Sequence, residues 1–306
     1  MYPKVTAYLF GVLAVCSAES ALASVSEEQR NAIDGIVGTH GNYVPEEGVY
    51  KLTFARDDLR VRTTGGRLVP RPAVSAWAAF AAGIHHDALL KGQLVLLEDE
   101  VNPVITAALE GGLQVTGLGS SLLFEVPRLL TLDVEGIGSF QSLAAAFRKA
   151  LDEIRRLRVN KVNTASVGPS PAAVVNAIDP EPLNSILSMR GTVVDGIYRA
   201  AIGRKALLNG EPVGREIGMS TWVAFAGTNA RALAEGEFIV TADELQGLLK
   251  ALRSRRINIA SIRNHTVSEH PRFIFVHFWG EGSAVELAKA LRYALDIQVS
   301  AAPERL

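Results

Sequence analysis

The chain has 306 residues, of which 48% are hydrophobic and 21% are charged, a balance typical of folded globular proteins and not of disordered chains. Its length is sufficient for two medium-sized domains, each with a hydrophobic core. The formal net charge is −1 and no run of basic residues occurs, which excludes the electrostatic footprint of a nucleic-acid-binding protein.

The N-terminus has the pattern of a secretory signal peptide over residues 1–23. Lys4 supplies a positive charge, residues 5–15 are apolar, and Ala21-Leu22-Ala23 forms an A-x-A cleavage site. The apolar stretch is too short to span a bilayer as a stable helix, so we expect no transmembrane segment in the mature chain. The pattern predicts a periplasmic or secreted protein.

The single cysteine, Cys16, lies within this segment. Cleavage after Ala23 would leave a mature protein without a thiol, and therefore without a disulfide, a cysteine nucleophile or a thiolate metal site. Lipid anchoring at Cys16 is the less favoured alternative, because a lipobox has a small residue at the position that Val15 occupies.

Two parts of the chain repeat one pattern, about 144 residues apart. Glu125-Val126-Pro127-Arg128 matches Glu269-His270-Pro271-Arg272. Farther upstream, the segment around Trp77 matches the segment around Trp222. A period this long excludes a solenoid and indicates a duplicated domain. Because apolar residues recur at equivalent spacing, we expect the two tryptophans at equivalent buried positions.

Prolines cluster where the two copies join, which predicts a linker at 157–182. The first repeat is then expected at 28–156 and the second at 183–300. The alternation of helical and strand patterns indicates an α+β fold. We expect two tandem copies of a ferredoxin-like sheet with helices packed on one face.

The predicted elements of the second copy follow from local signals. Asp179 and Thr241 are expected to cap helices, while β-branched and aromatic runs predict strands. In chain order these are a helix at 180–188, strands at 196–201, 221–226 and 238–240, a helix after Thr241, strands at 257–262 and 273–278, and a helix after Ser283. The first copy is expected to follow the same order.

The second copy carries three histidines at positions where the first has Ser121, Val126 and Asp133. Imidazole and carboxylate groups can ligate zinc or a similar divalent ion, or act as acid and base near neutral pH. The predicted metal ligands are His265, Glu269, His270 and His277. The predicted residues for a small polar ligand are Asn264, His265, Glu269 and Arg272.

Strand geometry disfavours a site that contains all three histidines. If Pro271 begins a strand, His277 lies about 20 Å along it at ~3.3 Å per residue, and it meets His265 only if the loop between them folds back over the sheet. We therefore favour a loop site of His265, Glu269 and His270 with a further ligand from elsewhere, and we expect His277 to be a buried structural residue.

Two further polar features have structural interpretations. Glu125 and Glu269 occur at the same place in both copies, so they can hydrogen-bond the backbone of their loops. His85-His86 lacks a counterpart in the second copy, and we expect this pair on the surface.

Several segments, spread in order over nearly the whole mature chain, also occur together in one known family. They are Trp77-Ala78-Ala79-Phe80, residues 96–104, Asn264-His265, Glu269, Pro271-Arg272 and His277. In this order they resemble the LppY/LpqO family of bacterial envelope proteins, built around a domain of unknown function. The resemblance implies an exported protein and supplies no established activity. Arg263 stands where the family has a histidine, which implies an incomplete site in the second copy and a degenerate one in the first.

Three functions remain open from the sequence. The favoured one is an exported envelope protein that binds a metal ion or a small polar ligand through its second repeat. The second is a metal-dependent or acid–base hydrolase using Glu269 and His265, although no nucleophile–base pair is recognisable. The third is a structural or interaction module without a small-molecule site.

We predict that the mature protein begins at Ser24, because signal peptidase cleaves after small residues spaced as in Ala21-Leu22-Ala23. N-terminal sequencing of the protein isolated from its native cell measures this directly. A retained Met1 would contradict export, and an acylated Cys16 would show lipid anchoring instead.

Overall fold

The computed structural model describes residues 24–62, 74–120, 122–159 and 176–301. The predicted signal peptide, Ser121 and the middle of the predicted linker lie outside these ranges. The described residues form helices and three antiparallel sheets, two with six strands and one with three. The predicted combination of helices with antiparallel sheets is confirmed. Within these ranges, no helix is both long and apolar enough to cross a membrane.

The first repeat forms one six-stranded sheet and three helices. The helices are α1 (Glu27–Val37), α2 (Val101–Glu110) and α3 (Phe140–Val159). The strands are β1 (Asn42–Val44), β2 (Val49–Ala55), β3 (Ser75–Ala82), β4 (Ala88–Leu97), β5 (Gln114–Gly119) and β6 (Leu129–Gly138). The strand order is β1-β2-β3-β4-β6-β5.

The second repeat forms the other large sheet in the same way. Its helices are α4 (Pro180–Leu187), α5 (Ala242–Ser254) and α6 (Ala284–Ala301). Its strands are β7 (Thr192–Val194), β8 (Ile197–Gly203), β11 (Ser220–Thr228), β12 (Arg231–Val240), β13 (Asn258–Arg263) and β15 (Ile274–Gly282). The order β7-β8-β11-β12-β15-β13 reproduces that of the first sheet strand for strand, so the predicted duplication is confirmed.

Capping residues begin the helices of the second repeat where the sequence indicates. Asp179 accepts a hydrogen bond from the backbone N–H of Glu181, and Glu244 Oε2 accepts one from the N–H of Thr241 at 2.7 Å. Because α4 begins at Pro180, the expected domain boundary at 183 falls inside a helix. The second repeat therefore begins no later than its cap residue.

One face of each large sheet packs against the helices of its own repeat. Leu90, Leu94 and Leu96 of β4 belong to the core of the first repeat, and Phe238 and Val240 of β12 belong to that of the second. Because successive side chains of a strand point to opposite faces, the residues at the alternate positions, such as Val95 in β4 and Ile239 in β12, point away from the helices.

These opposite faces pack against each other, so the two sheets lie inside and the helices outside. Two apolar clusters contain residues of both repeats. On this face β4 carries Leu89, Lys91, Gln93, Val95 and Leu97, and β12 carries Leu233, Glu235, Glu237 and Ile239. The buried interface between the sheets thus has apolar ends and a polar centre.

The two tryptophans occupy equivalent positions in this arrangement. Trp77 pairs with Gln93, and Trp222 pairs with Glu237. Both rings are half-buried, so the expected equivalence is correct and the expected full burial is wrong. A cationic side chain lies over each ring, Lys51 over Trp77 and Arg199 over Trp222, so part of each ring faces a charged and partly exposed group.

The third sheet is formed by strands of the second repeat and contacts the first repeat through Glu211. Strands β9 (Ala206–Leu208), β10 (Glu211–Val213) and β14 (Glu269–His270) form it in the order β10-β9-β14. The carboxylate of buried Glu211 accepts hydrogen bonds from the backbone N–H groups of Ile84 at 2.5 Å, His85 at 2.7 Å and His86 at 3.0 Å. The two histidines are exposed, and a carboxylate of the other repeat fixes their turn.

We predict that Glu211→Gln lowers the free energy of unfolding at pH 7 by about 1–3 kcal/mol, because a charged acceptor of three N–H groups becomes neutral. Burial raises the pKa of Glu211, but the three N–H donors outweigh it and hold the pKa below its ordinary value. This stabilisation is therefore present above the ordinary glutamate pKa of about 4.3 and is lost as the pH falls through the lower folded-state pKa. Urea denaturation at several pH values measures the difference, and a gap that stays constant down to pH ~3 would contradict the role of the charge.

Candidate functional site

The polar centre between the sheets is formed by neighbours in strand register. Glu237 of β12 pairs with His277 of β15, and His277 pairs with Ser261 of β13. Because β13 runs antiparallel to β15, the chain that leaves β13 continues alongside β15 and brings His265 over Phe275. These two rings stack with centroids 4.3 Å apart and planes 3° apart. The loop between the two histidines therefore folds back over the sheet, which was the condition for a shared site, and His265 meets His277.

Three side-chain atoms converge at this point. Glu237 Oε2 lies 2.6 Å from His277 Nε2 and 3.2 Å from His265 Nε2, and the two Nε2 atoms are 3.0 Å apart. Each of the three side chains offers one atom that could hold a metal ion. All three residues are buried, with 3–4% of their surface exposed. The set is two imidazoles and one carboxylate, which we call the Glu237 triad.

The carboxylate of the triad is not satisfied by ordinary hydrogen bonds. Glu237 Oε2 has no hydrogen-bond partner within the described ranges, although it lies close to the ring nitrogens of both histidines. A buried charged oxygen without a partner is destabilising by several kcal/mol. A cation held among the three atoms would satisfy the oxygen and both ring nitrogens together.

The protonation of His265 suits such a cation. Burial, together with Coulombic repulsion from the neighbouring Arg263, His277 and Lys91, holds the pKa of His265 well below its ordinary value. The ring is therefore neutral near pH 7. A neutral imidazole has a lone pair on one nitrogen, and this is the form in which histidine binds metals.

The first repeat contributes to the same centre. Gln93 and Asp133 hold in β4 and β6 the register positions that Glu237 and His277 hold in β12 and β15. Gln93 Nε2 donates to Asp133 Oδ1 at 2.9 Å, and that same oxygen lies 3.7 Å from Nδ1 of His265. The centre therefore lies between the repeats, whereas the sequence placed it in the second repeat alone.

Arg263 crosses from β13 to the first repeat. Its Nη1 donates to Asp133 Oδ2 at 2.6 Å and its Nη2 donates to Thr131 Oγ1. The same Nη2 lies 3.5 Å from His277 Nε2. With side-chain exposures of 10% for the arginine and 1% for the aspartate, this is a buried ion pair that links the two sheets beside the triad.

Two glycines of β5 make this crossing sterically possible. A Cβ atom at Gly117 would lie 2.6 Å from the carbonyl oxygen of Asn264, and one at Gly119 would lie 2.8 Å from Cδ of Arg263. Both distances are too short for real contacts. Glycine at these two positions therefore allows β5 of the first repeat to lie against the end of β13 and the residue that follows it.

Lys91 brings a second cation into the centre. It is 1% exposed, and its Nζ donates to the carbonyl oxygen of His265 at 3.0 Å. Burial lowers the pKa of Lys91, and nearby carboxylates oppose the shift. These carboxylates belong to Asp133, Glu135, Glu237 and Glu269. With Arg263 as the other cation, carboxylates outnumber cationic side chains in this buried region.

The remaining residues that the sequence proposed for a site lie away from the triad. Asn264, His270 and Arg272 are exposed, and the proposed loop grouping of His265, Glu269 and His270 is not formed. The cause is the alternation of side chains in the short strand β14, where Glu269 points inward and His270 outward. Ser121, the first-repeat counterpart of His265, lies outside the described ranges.

Glu269 is bound to its own loop. It is buried, and its Oε1 accepts a hydrogen bond from the backbone N–H of Phe273 at 3.2 Å. Glu125 accepts from the N–H of Leu129 at the same distance in the first repeat. The shared geometry supports the structural interpretation of both glutamates, although Glu269 Oε2 has no hydrogen-bond partner within the described ranges.

Glu237 and Lys91 were not among the residues selected from the sequence. A signal for them exists. Both lie in strands whose other residues on the same face are mostly apolar, so alternation places a charge on a face that is largely suited to burial. A buried charge of this kind is a marker of a functional or ion-paired centre.

Comparisons with known proteins give a family and a weak structural likeness. A sequence profile described as Domain of Unknown Function (DUF1259) matches residues 31–153 and again residues 181–297. No curated protein matches the sequence.

Among solved structures, the chain resembles PduB, a trimeric bacterial microcompartment shell protein, at 9% identity over 85% of this chain and 90% of that chain, with a TM-score of 0.23. It also resembles EutL from Clostridium perfringens at 13% identity over 71% and 82%, with a TM-score of 0.18. Scores this low carry no argument about function.

We predict that Arg263→Met lowers the free energy of unfolding by about 3–5 kcal/mol, because Asp133 is left buried without its charge partner. Adding Asp133→Leu to this variant should restore a large part of the loss, since both members of the pair are then replaced by apolar groups. Urea denaturation of the two single variants and the double variant forms a double-mutant cycle. Additive losses would show that the two side chains are not coupled.

Proposed function

The chain belongs to the family described as Domain of Unknown Function (DUF1259) and carries its domain twice, and we propose that it binds one divalent transition-metal ion between the two copies. The ligands are Glu237, His265 and His277. Of the two ligand classes that the sequence left open, a metal ion or a small polar molecule, the geometry favours the metal.

The convergence of one carboxylate oxygen and two imidazole nitrogens, 2.6–3.2 Å from one another in a buried site, carries this proposal. Imidazole with carboxylate suits zinc and its first-row neighbours, whereas magnesium and calcium prefer sites made of oxygen atoms. Ligand atoms bind zinc at ~2.0–2.2 Å, and three of them leave a further position for water or a small ligand. The excess of carboxylates around Lys91 and Arg263 adds a favourable field for a cation.

Burial favours a structural or storage role for the ion over hydrolysis. The three ligands are almost completely enclosed, and a substrate would have to separate the two sheets to reach them. Glu269, which the alternative hydrolase would use with His265, already accepts a backbone hydrogen bond in its loop. No observation on this chain favours the hydrolase.

The alternative without a ligand is a structural module in which the polar centre holds the repeats together by ion pairs. The buried pair of Arg263 and Asp133 favours it. The two functions differ in what happens to Glu237: with a metal its carboxylate is a ligand, and without one it is an unsatisfied buried group. Metal content therefore distinguishes them.

The same proposal includes export of the protein, its membership of a known group and the fold of each repeat. The pattern of residues 1–23 supports export to the periplasm or beyond, and the motif around Asn264-His265 supports membership of the LppY/LpqO group. The order β4-α2-β5-β6-α3, repeated as β12-α5-β13-β15-α6, supports a ferredoxin-like layer within each repeat.

We predict that the purified mature protein binds one zinc ion per chain and that Glu237→Gln and His277→Ala abolish this binding. Wild-type protein should be stabilised by zinc, by about 2.7 kcal/mol when the free ion is at 100 times its Kd, and neither variant should respond. Elemental analysis and thermal melts with and without zinc measure both effects.

The matched control is His270→Ala, which removes an exposed imidazole from the adjacent loop and should leave zinc binding unchanged. Wild-type protein that is well folded, free of metal and unaffected by zinc in thermal melts would refute the metal site. It would favour the structural module.

A further inference from the structure

We propose that the first repeat, which supplies none of the three ligand atoms, positions His265 for the ion. The inference rests on the proposed function. Metal affinity at the Glu237 triad then depends on side chains of the first repeat that do not touch the metal.

The first repeat fixes the main chain of His265. This residue follows the end of β13, and its carbonyl oxygen accepts hydrogen bonds from Lys91 Nζ at 3.0 Å and from Thr116 Oγ1 at 2.6 Å. Both donors lie in the first repeat, on β4 and β5. A loop residue with two such bonds has little freedom to carry its ring away from the triad.

The first repeat also faces the ring. Phe275 stacks on one side of the imidazole, Nε2 points to Glu237 and His277, and Nδ1 points to Asp133 Oδ1 at 3.7 Å. At 3.7 Å this contact is longer than a hydrogen bond, so the carboxylate acts on the ring through its charge. A negative charge on this side favours the proton on Nδ1 and leaves the lone pair on Nε2, the atom that faces the triad.

Asp133 is itself held in place for this role. Gln93 donates to its Oδ1 at 2.9 Å and Arg263 to its Oδ2 at 2.6 Å. Asp133 holds in the first repeat the position that His277 holds in the second, and it supports the site without being a ligand. Asp133 and Thr116 are thus positioning residues, and their effect should be seen in metal affinity and geometry as well as in stability.

The experiment compares Asp133→Asn and Thr116→Val with wild-type protein, in the full mature chain. Zinc affinity is measured by competition with a chromophoric chelator, and geometry by the visible absorption spectrum of the cobalt-loaded protein. Loss of a supporting carboxylate weakens metal binding by about 10–100-fold. We expect this loss and an altered cobalt spectrum for Asp133→Asn, and a smaller loss in the same direction for Thr116→Val.

The matched control is Glu100→Gln, which also changes a buried, ion-paired carboxylate of the first repeat to its amide. Glu100 is 0% exposed and bonds Arg56 at 2.8 Å. Its replacement should reduce the melting temperature while leaving zinc affinity and the cobalt spectrum as in the wild type.

The outcomes separate this inference from the proposal on which it rests. A folded Asp133→Asn variant with wild-type affinity and an unchanged cobalt spectrum overturns the inference and leaves the metal site standing. Wild-type protein that binds neither zinc nor cobalt overturns the metal site itself. If Asp133→Asn does not fold, Thr116→Val decides, because unchanged affinity in that isosteric variant overturns the positioning role.

Discussion

Two β-sheets that bury charged side chains against each other must pair those charges across the interface, and the ion pair between Arg263 and Asp133 is the contact on which the centre of this molecule depends. Removing either partner would leave a charge in an environment that cannot solvate it. The pair also determines the path of the chain after β13, because Arg263 lies two residues before His265. The glycines at 117 and 119 allow the close approach that the pair requires.

The apolar ends of the interface matter as much as its polar centre. Residues of both repeats pack on either side of the charged group and keep water away from it. Electrostatic interactions are stronger where water is excluded. The same burial that lowers the pKa of His265 therefore also increases the effect of each neighbouring charge on it.

Sequence reasoning was sufficient wherever the information was local or duplicated. Asp179 and Thr241 marked the starts of two helices, and the comparison of one copy with the other revealed the domain repeat. It was insufficient for Glu237, because the preceding Glu235 and Gly236 have poor strand propensity and the expected strand began at Phe238. In the structure β12 begins at Arg231, since β11 and β15 hold it from both sides. The burial of His265 depends on the opposite sheet, which no local pattern encodes.

The covalent joining of the two copies has a consequence for what the interface can contain. If two identical, separate chains met through this face in a symmetric dimer, each substitution would appear on both sides. A histidine at position 277 would then be present in both copies, and the second histidine would take the place of Asp133. An arginine at position 263 would likewise be matched by another arginine. Joining the copies in one chain frees the two halves to differ. Complementary partners can then face each other across an axis that would otherwise require them to be the same.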